Sequence, residues 1–242
     1  MKRYIVIGLI VFLSVLIFTF PARVAYNWFA PPDVRLTGLS GSVWNGSAVE
    51  GLAAGAYIQD ISWRLKPASL LAGKLAFATA SRPASGSLAV DVAISLDRSL
   101  AFSNLTGRLP LDLIHPALQQ NRISGDVTLN LASLAVRNDV PVEVDGIVTI
   151  ANLFVPILSS AGLGDFKADI RTENGNVIAT LDDLSGVLDL AGTLTLKPDR
   201  SYLLLGEVAA RPDAPPSITQ QLQFLGSPDE RGFRQFRHEG IL

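Results

Sequence analysis

An all-β, mainly antiparallel fold is what this sequence predicts: a long, strongly curved sheet with a few short helices, preceded by one N-terminal transmembrane helix. Three observations predict it. The first is a repeated beat of apolar, any, Gly, any, apolar, centred on Gly41, Gly73, Gly107, Gly125, Gly146, Gly186, Gly192 and Gly206. Alternate residues of a strand share a face, so each Gly lies beside its two apolar neighbours. Interior Gly marks a bend, a bulge or a close backbone approach, and repeated on a buried face it lets a sheet coil inward. The second is period-two alternation, as in Leu88, Val90, Val92, Ile94 and Leu96 against Ala89, Asp91, Ala93, Ser95 and Asp97. The third is a charge-free stretch from Tyr4 to Phe20.

That stretch follows Lys2 and Arg3 and ends at Pro21 and Arg23. Seventeen helical residues rise about 26 Å, the short end of a membrane span. Tyr26, Trp28 and Phe29 follow at the level that suits aromatic side chains at a bilayer surface. A cleaved signal peptide is the alternative. A cut after Ala25 would leave Arg23 third-last and one after Ala30 would leave Trp28 there, whereas cleavage prefers small residues. The expected organisation is a cytoplasmic tip at 1–3, an anchor at 4–22, a juxtamembrane linker at 23–34 with a stiff Pro31-Pro32-Asp33 spacer, and a periplasmic β-rich domain at 35–242.

Within that domain the pattern continues strand by strand. Val142, Val144, Gly146, Val148 and Ile150 form one face, and Leu188, Leu190, Gly192, Leu194 and Leu196 another. Asn174-Gly175 predicts a tight hairpin and Pro198-Asp199 a second turn. Short helices are expected at Pro67–Ala72, Leu111–Gln120, Phe154–Ala161 and Ser217–Leu225. In the last, Ile218, Leu222 and Leu225 make an apolar stripe suited to plugging one end of the sheet. The order strands, helix, strands, helix suggests an internal duplication around residue 125.

Composition narrows the chemistry. The 242 residues include 48% hydrophobic and 17% charged, with a net charge of −2 and no cysteine. That excludes nucleic-acid binding by charge, and disulfide or thiolate chemistry outright. His115 and His238 lack metal-ligand spacing, and Gly38-Leu-Ser40-Gly41-Ser42 lacks the Lys of a phosphate loop. Asp182-Asp183 is the best carboxylate pair, but neighbours on a strand point to opposite faces, and a solvated turn is expected there. Asn45 and Asn104 open glycosylation-type tripeptides, Arg231, Arg234 and Arg237 form a basic group, and Trp44 and Trp63 read as core or interface residues. No enzyme, cofactor or metal site is expected.

The residues also carry a resemblance. The segment Leu36-Thr-Gly38-Leu-Ser-Gly41-Ser-Val-Trp44-Asn-Gly46-Ser-Ala48 resembles the opening of the type II secretion system protein N family, the general secretion pathway N family of Gram-negative bacteria. Ile61-Ser-Trp63-Arg-Leu65, Pro67 and Leu70-Leu71-Ala-Gly73 continue it. Gln221-Leu222, Leu225-Gly226, Pro228-Asp229, Gly232, Phe236 and Gly240-Ile241-Leu242 close it. The resemblance implies a single-pass inner-membrane protein with a periplasmic β-rich domain. It would take part in export of folded proteins across the outer membrane, with proteins of the inner-membrane platform or periplasm as partners. The family has no catalytic motif, so no functional residue is carried over. The Gly-beaded strands are also similar to AsmA-like envelope proteins, which implies lipid as an alternative partner.

Overall fold

The computed structural model describes residues 2–30, 34–53, 56–83, 86–95, 100–113, 121–137 and 140–241. The Pro31-Pro32-Asp33 spacer, His115 and most of the expected helix at Leu111–Gln120 lie outside them; Leu111–Leu113 is a 3₁₀ turn. The chain divides into two compact units, Met1–Ala89 and Val90–Leu242.

The first unit opens with helix α1 (Lys2–Phe18), 17 residues long, and helix α2 (Ala22–Phe29), which occupies the stretch expected to be linker. Seventeen residues rise about 26 Å against about 30 Å of hydrocarbon. Among the described residues no helix is long and apolar enough to cross a membrane. Strands β1 (Val34–Thr37), β2 (Ser40–Gly41), β3 (Asn45–Ala53), β4 (Ala56–Leu65) and β5 (Lys74–Pro83) follow. β3 pairs antiparallel with β1, β2 and β4, and β4 with β5. Between β4 and β5, Pro67–Ala72 forms the expected helical piece as a 3₁₀ turn. Strand β6 (Ser87–Ser95) crosses the division between the units.

The second unit is a meander. Strands β7 (Leu100–Pro110), β8 (Ser124–Arg137), β9 (Val140–Phe154), β10 (Gly164–Glu173), β11 (Asn176–Gly186), β12 (Leu188–Leu196), β13 (Ser201–Ala210) and β14 (Arg234–Ile241) each pair antiparallel with the next in sequence. The mainly antiparallel, helix-poor fold matches the sequence expectation. The β10–β11 hairpin turns at Asn174 (φ 50°) and Gly175 (φ 79°), the two left-handed residues such a two-residue turn requires. Lys197 N–H bonds Ser201 O (2.9 Å) across the Pro198-Asp199 turn. The centre of the suggested duplication, near residue 125, falls inside this unit, in β8.

Two apolar clusters form its core. The first joins Leu131, Val140, Val144, Val177 and Leu196, with Leu105, Leu134, Val148, Ile170 and Tyr202 packed against them. Every one of these residues lies on a strand, and no described helix covers them. The second joins Leu163, Leu188, Val208 and Ile218, with Phe166, Leu190, Leu222 and Phe236 among its neighbours. Ile218 and Leu222 come from helix α3 (Pro216–Leu222), so two of the three residues in the expected plugging stripe are packed, while Leu225 stays 42% exposed. The expected helix over Phe154–Ala161 does not form. β9 runs through Phe154, and one turn closes through Leu158 and Ser159 N–H onto Val155 O before the chain enters β10.

Candidate interaction surfaces

In the first unit, α1 and α2 are fastened to one end of the sheet. Trp44 Nε1 donates to Ile17 O (2.7 Å), Val43 N–H to Phe20 O (3.0 Å) and Arg23 Nε to Leu39 O (2.6 Å). Leu36 N–H donates to Tyr26 Oη (3.0 Å). A helix ends with carbonyls that have no partner within it, and here the sheet supplies donors at that end. Trp63 lies over Gly46, where an added Cβ would stand 2.5 Å from Cζ2, and its Nε1 donates to Val43 O (3.0 Å). The Trp44-Asn45-Gly46 segment therefore has a local reason: Trp44 ties the helix, and Gly46 seats the second indole.

In the second unit, β11 to β14 place Leu181, Gly192, Gly206 and Phe236 side by side in one row. Gly206 leaves room for the Phe236 ring to lie on the backbone, an aromatic cover over a strand glycine. The next row out carries Thr180, Thr193, Leu205 and Arg237, and the one beside the glycines carries Asp182, Ala191, Glu207 and Gln235. Together with Gly192, Gly206 and Phe236 they line an open concavity of about 700 Å³. Its walls combine hydroxyls, carboxylates, an amide and a guanidinium with the apolar residues Ala191, Leu205 and Phe236.

Asp183 is not in a solvated turn. It sits within β11, its side chain 7% exposed, with Oδ1 accepting Leu190 N–H (2.7 Å) and Oδ2 paired with the Arg211 guanidinium. Arg211 also donates from Nη1 to Gly186 O (3.3 Å). Asp165 bridges a bulge in β10: Oδ1 accepts Asn152 N–H (2.8 Å) and Oδ2 accepts Ser185 Oγ–H (2.9 Å). The Asn152 amide, then the Ser185 hydroxyl, hold its carboxyl below the usual carboxylate range. Arg231 pairs with Glu207 (2.6 Å) and Asp229 (3.0 Å), Arg237 with Glu239 (2.7 Å), and Arg234 Nε donates to Gly226 O (2.9 Å). His238 faces the Tyr202 ring at 5.7 Å. Among the described residues no group of His, Cys, Asp and Glu is arranged to hold a metal ion.

The beat glycines fall in different settings. Gly107 faces Leu129 within β7, and Gly125 lies at a register shift in β8. Gly146, at φ 145°, sits where Asn130 O and Leu131 Cα leave no space for a side chain. There the β9–β10 ladder hands over to Thr172 Oγ1, which accepts Val144 N–H (2.8 Å). Gly186 crosses Gly164 backbone to backbone. Gly41 ends the two-residue β2, a Cβ there standing 2.5 Å from Asn45 O. Gly73 is on no strand: it closes the 3₁₀ turn before β5 at φ 67°, with nothing within 4 Å of an added Cβ. Tyr4 lies in α1, and Phe20 just beyond its end.

Residues 32–237 match the family described as type II secretion system (T2SS), protein N. The chain belongs to that family. It is similar, at 25% identity over the whole length of both chains, to type II secretion system protein N of Aeromonas hydrophila. It is 26% identical, again over the whole of both, to type II secretion system protein N of Vibrio cholerae serotype O1. No solved structure matches it. Membership makes the chain a component of type II secretion, in a family of accessory proteins not known as enzymes.

Proposed function

We propose that this chain is an accessory, structural component of the type II secretion system, held at the cell inner membrane by α1. In this reading the N-terminus is cytoplasmic, the sheet is periplasmic, and the protein takes part in exporting folded proteins across the outer membrane through contacts with other secretion proteins. The observation that carries it is the self-filled apolar face of the second unit. Val144 (5%), Leu131 (6%) and Leu196 (7%) are almost fully covered, although every partner in their cluster is on the sheet. A single-layer sheet reaches such burial by coiling its apolar face onto itself. The concavity between Asp182 and Arg237 lies outside that cluster and offers a partner charged and hydrogen-bonding groups beside Leu205.

The anchor reading is supported by α1 itself. Val11, Phe12, Val15, Leu16, Ile17 and Phe18 are all between 51% and 70% exposed, an apolar surface that water does not favour. A helix about 4 Å short of the hydrocarbon thickness is accommodated by local thinning at modest cost. A periplasm-specific reporter enzyme fused after residue 242 is expected to be active, with the chain resisting alkaline extraction. Release of a shortened chain beginning near Tyr26 would sink the anchor.

For the function, deleting residues 35–242 in the host is expected to stall secreted enzymes in the periplasm while leaving lipid composition unchanged. Normal secretion in that strain, with stoichiometric phospholipid carried by the purified protein, would overturn the secretion role in favour of a lipid-binding module.

A further inference from the structure

We propose that the 3₁₀ turn Pro67–Ala72 is a second membrane contact. Leu70 and Leu71 dip into the boundary between headgroups and acyl chains, and the basic residues around them bind anionic phospholipid headgroups. This rests on the reading of α1 as an anchor.

The turn is built to present apolar side chains outward. Ser69 Oγ donates to Lys66 O (2.7 Å) and accepts Ala76 N–H (3.1 Å), so the turn is pinned to β5. Gly73, left-handed, closes it. With Ser69 turned in, Leu70 is 52% exposed and Leu71 94%. Leucines held this far into water on a fixed turn are apolar surface that water does not favour.

Its position says what it meets. β3 starts at Asn45 opposite Arg64, and Leu65 N–H donates to Trp44 O (2.6 Å), so the turn begins one residue beyond the end of the ladder. That is the end to which Trp44 and Val43 fasten Ile17 and Phe20, where α1 stops. Two strand spacings, about 10 Å, separate β3 from β5. A bilayer crossed by α1 therefore has its surface at the level of Trp44, with the turn reaching towards it. Trp28, 69% exposed on α2, belongs to the same end.

Charge agrees. Residues 17–30, 38–48 and 61–78, which build this end, contain Arg23, Arg64, Lys66 and Lys74 and no Asp or Glu. The whole chain carries net −2, so four cations without an acid set these segments apart from the rest of the sequence. Lysines bracketing two exposed leucines suit an interface where the aliphatic part enters and the ammonium groups stay with lipid phosphates.

The chain has no cysteine, so Leu71→Cys carries a single environment-sensitive fluorophore. Tyr57→Cys is the control, 44% exposed and at the opposite end of β4, about 27 Å away. In vesicles of phosphatidylethanolamine and phosphatidylglycerol containing brominated lipid, the Leu71 label on the full chain is expected to be quenched and the Tyr57 label not. Lys66→Gln with Lys74→Gln is expected to lower the inserted-to-aqueous ratio at Leu71 by about 30-fold. A Leu71 label as aqueous as the control, in a chain that resists alkaline extraction, overturns the contact and leaves the anchor standing. A chain stripped by alkali with Leu71 quenched beforehand overturns the anchor and upholds the contact. A Leu71 label that becomes dry only in membranes containing the other secretion proteins makes the occupant a protein and overturns the proposal.

Discussion

Gly206→Ala adds one methyl group where the Phe236 ring closes over the backbone. The new Cβ would collide with the Phe236 ring, with Cε1 at 2.9 Å, and would stand 2.7 Å from Ala191 O. The ring can swing away, but only by leaving the cluster it shares with Leu188 and Val208. The carbonyl belongs to β12 and moves only with the ladder. Overpacking of this kind costs about 1–3 kcal/mol, and uncovering part of a Phe side chain adds about 1 kcal/mol. We expect a loss of about 2–3 kcal/mol, read as a Tm lower by roughly 4–12 °C for a unit of this size. Gly192→Ala meets Leu205 O at 3.1 Å and no ring, so about 1 kcal/mol is expected there. The assay is thermal and urea unfolding of the full chain in detergent micelles, for Gly206→Ala, Phe236→Leu and the pair. Because the methyl acts through the ring, the pair should cost at least about 1 kcal/mol less than the sum of the two singles. A Gly206→Ala chain within about 0.5 kcal/mol of the parent, or a strictly additive pair, would refute the close-approach argument.

Two further outcomes follow from the polar groups. Asp183→Asn or Arg211→Met alone should destabilise by about 1.5–3 kcal/mol, since each strands a partner of the largely buried ion pair; urea midpoints should show the double variant costing less than the sum. Asp165, whose carboxyl is held low chiefly by the Asn152 amide, contributes stability that is present above its unfolded pKa of about 3.9 and is lost as pH falls through the lower folded value. Asp165→Asn should therefore flatten the acid side of the stability–pH curve below about pH 4, and an unchanged acid slope counts against the bridge.

The strands were legible because burial on one face writes itself as period-two alternation, and the β10–β11 hairpin because Asn174-Gly175 is what a two-residue left-handed turn demands. The Asp183–Arg211 pair was not. Its members lie 28 residues apart and meet only after β11, β12 and β13 have paired, so the carboxylate looks solvated in the sequence. The helix expected at Phe154–Ala161 gives way to tertiary pairing: β8 and β10 hold Leu153 and Phe154 extended, and Ile157 is left 81% exposed. Helix α2 was hidden behind Pro21, which reads as an ending but serves as the cap of a new helix. Gly73 shares the beat of the strand glycines and does another job, because five residues of pattern do not distinguish a strand from the close of a turn.

The neighbour-to-neighbour pairing of β7 through β14 also governs how this half of the chain acquires its structure in time. Each strand finds its partner one turn back along the chain, so loop closure is cheap at every step and contact order stays low for an all-β protein. Delivered N-terminus first, the segment can zip strand by strand as residues arrive, with only the newest edge unpaired. Helix α3 comes late, after β13, and seals the second cluster when the strands that line it are already in place.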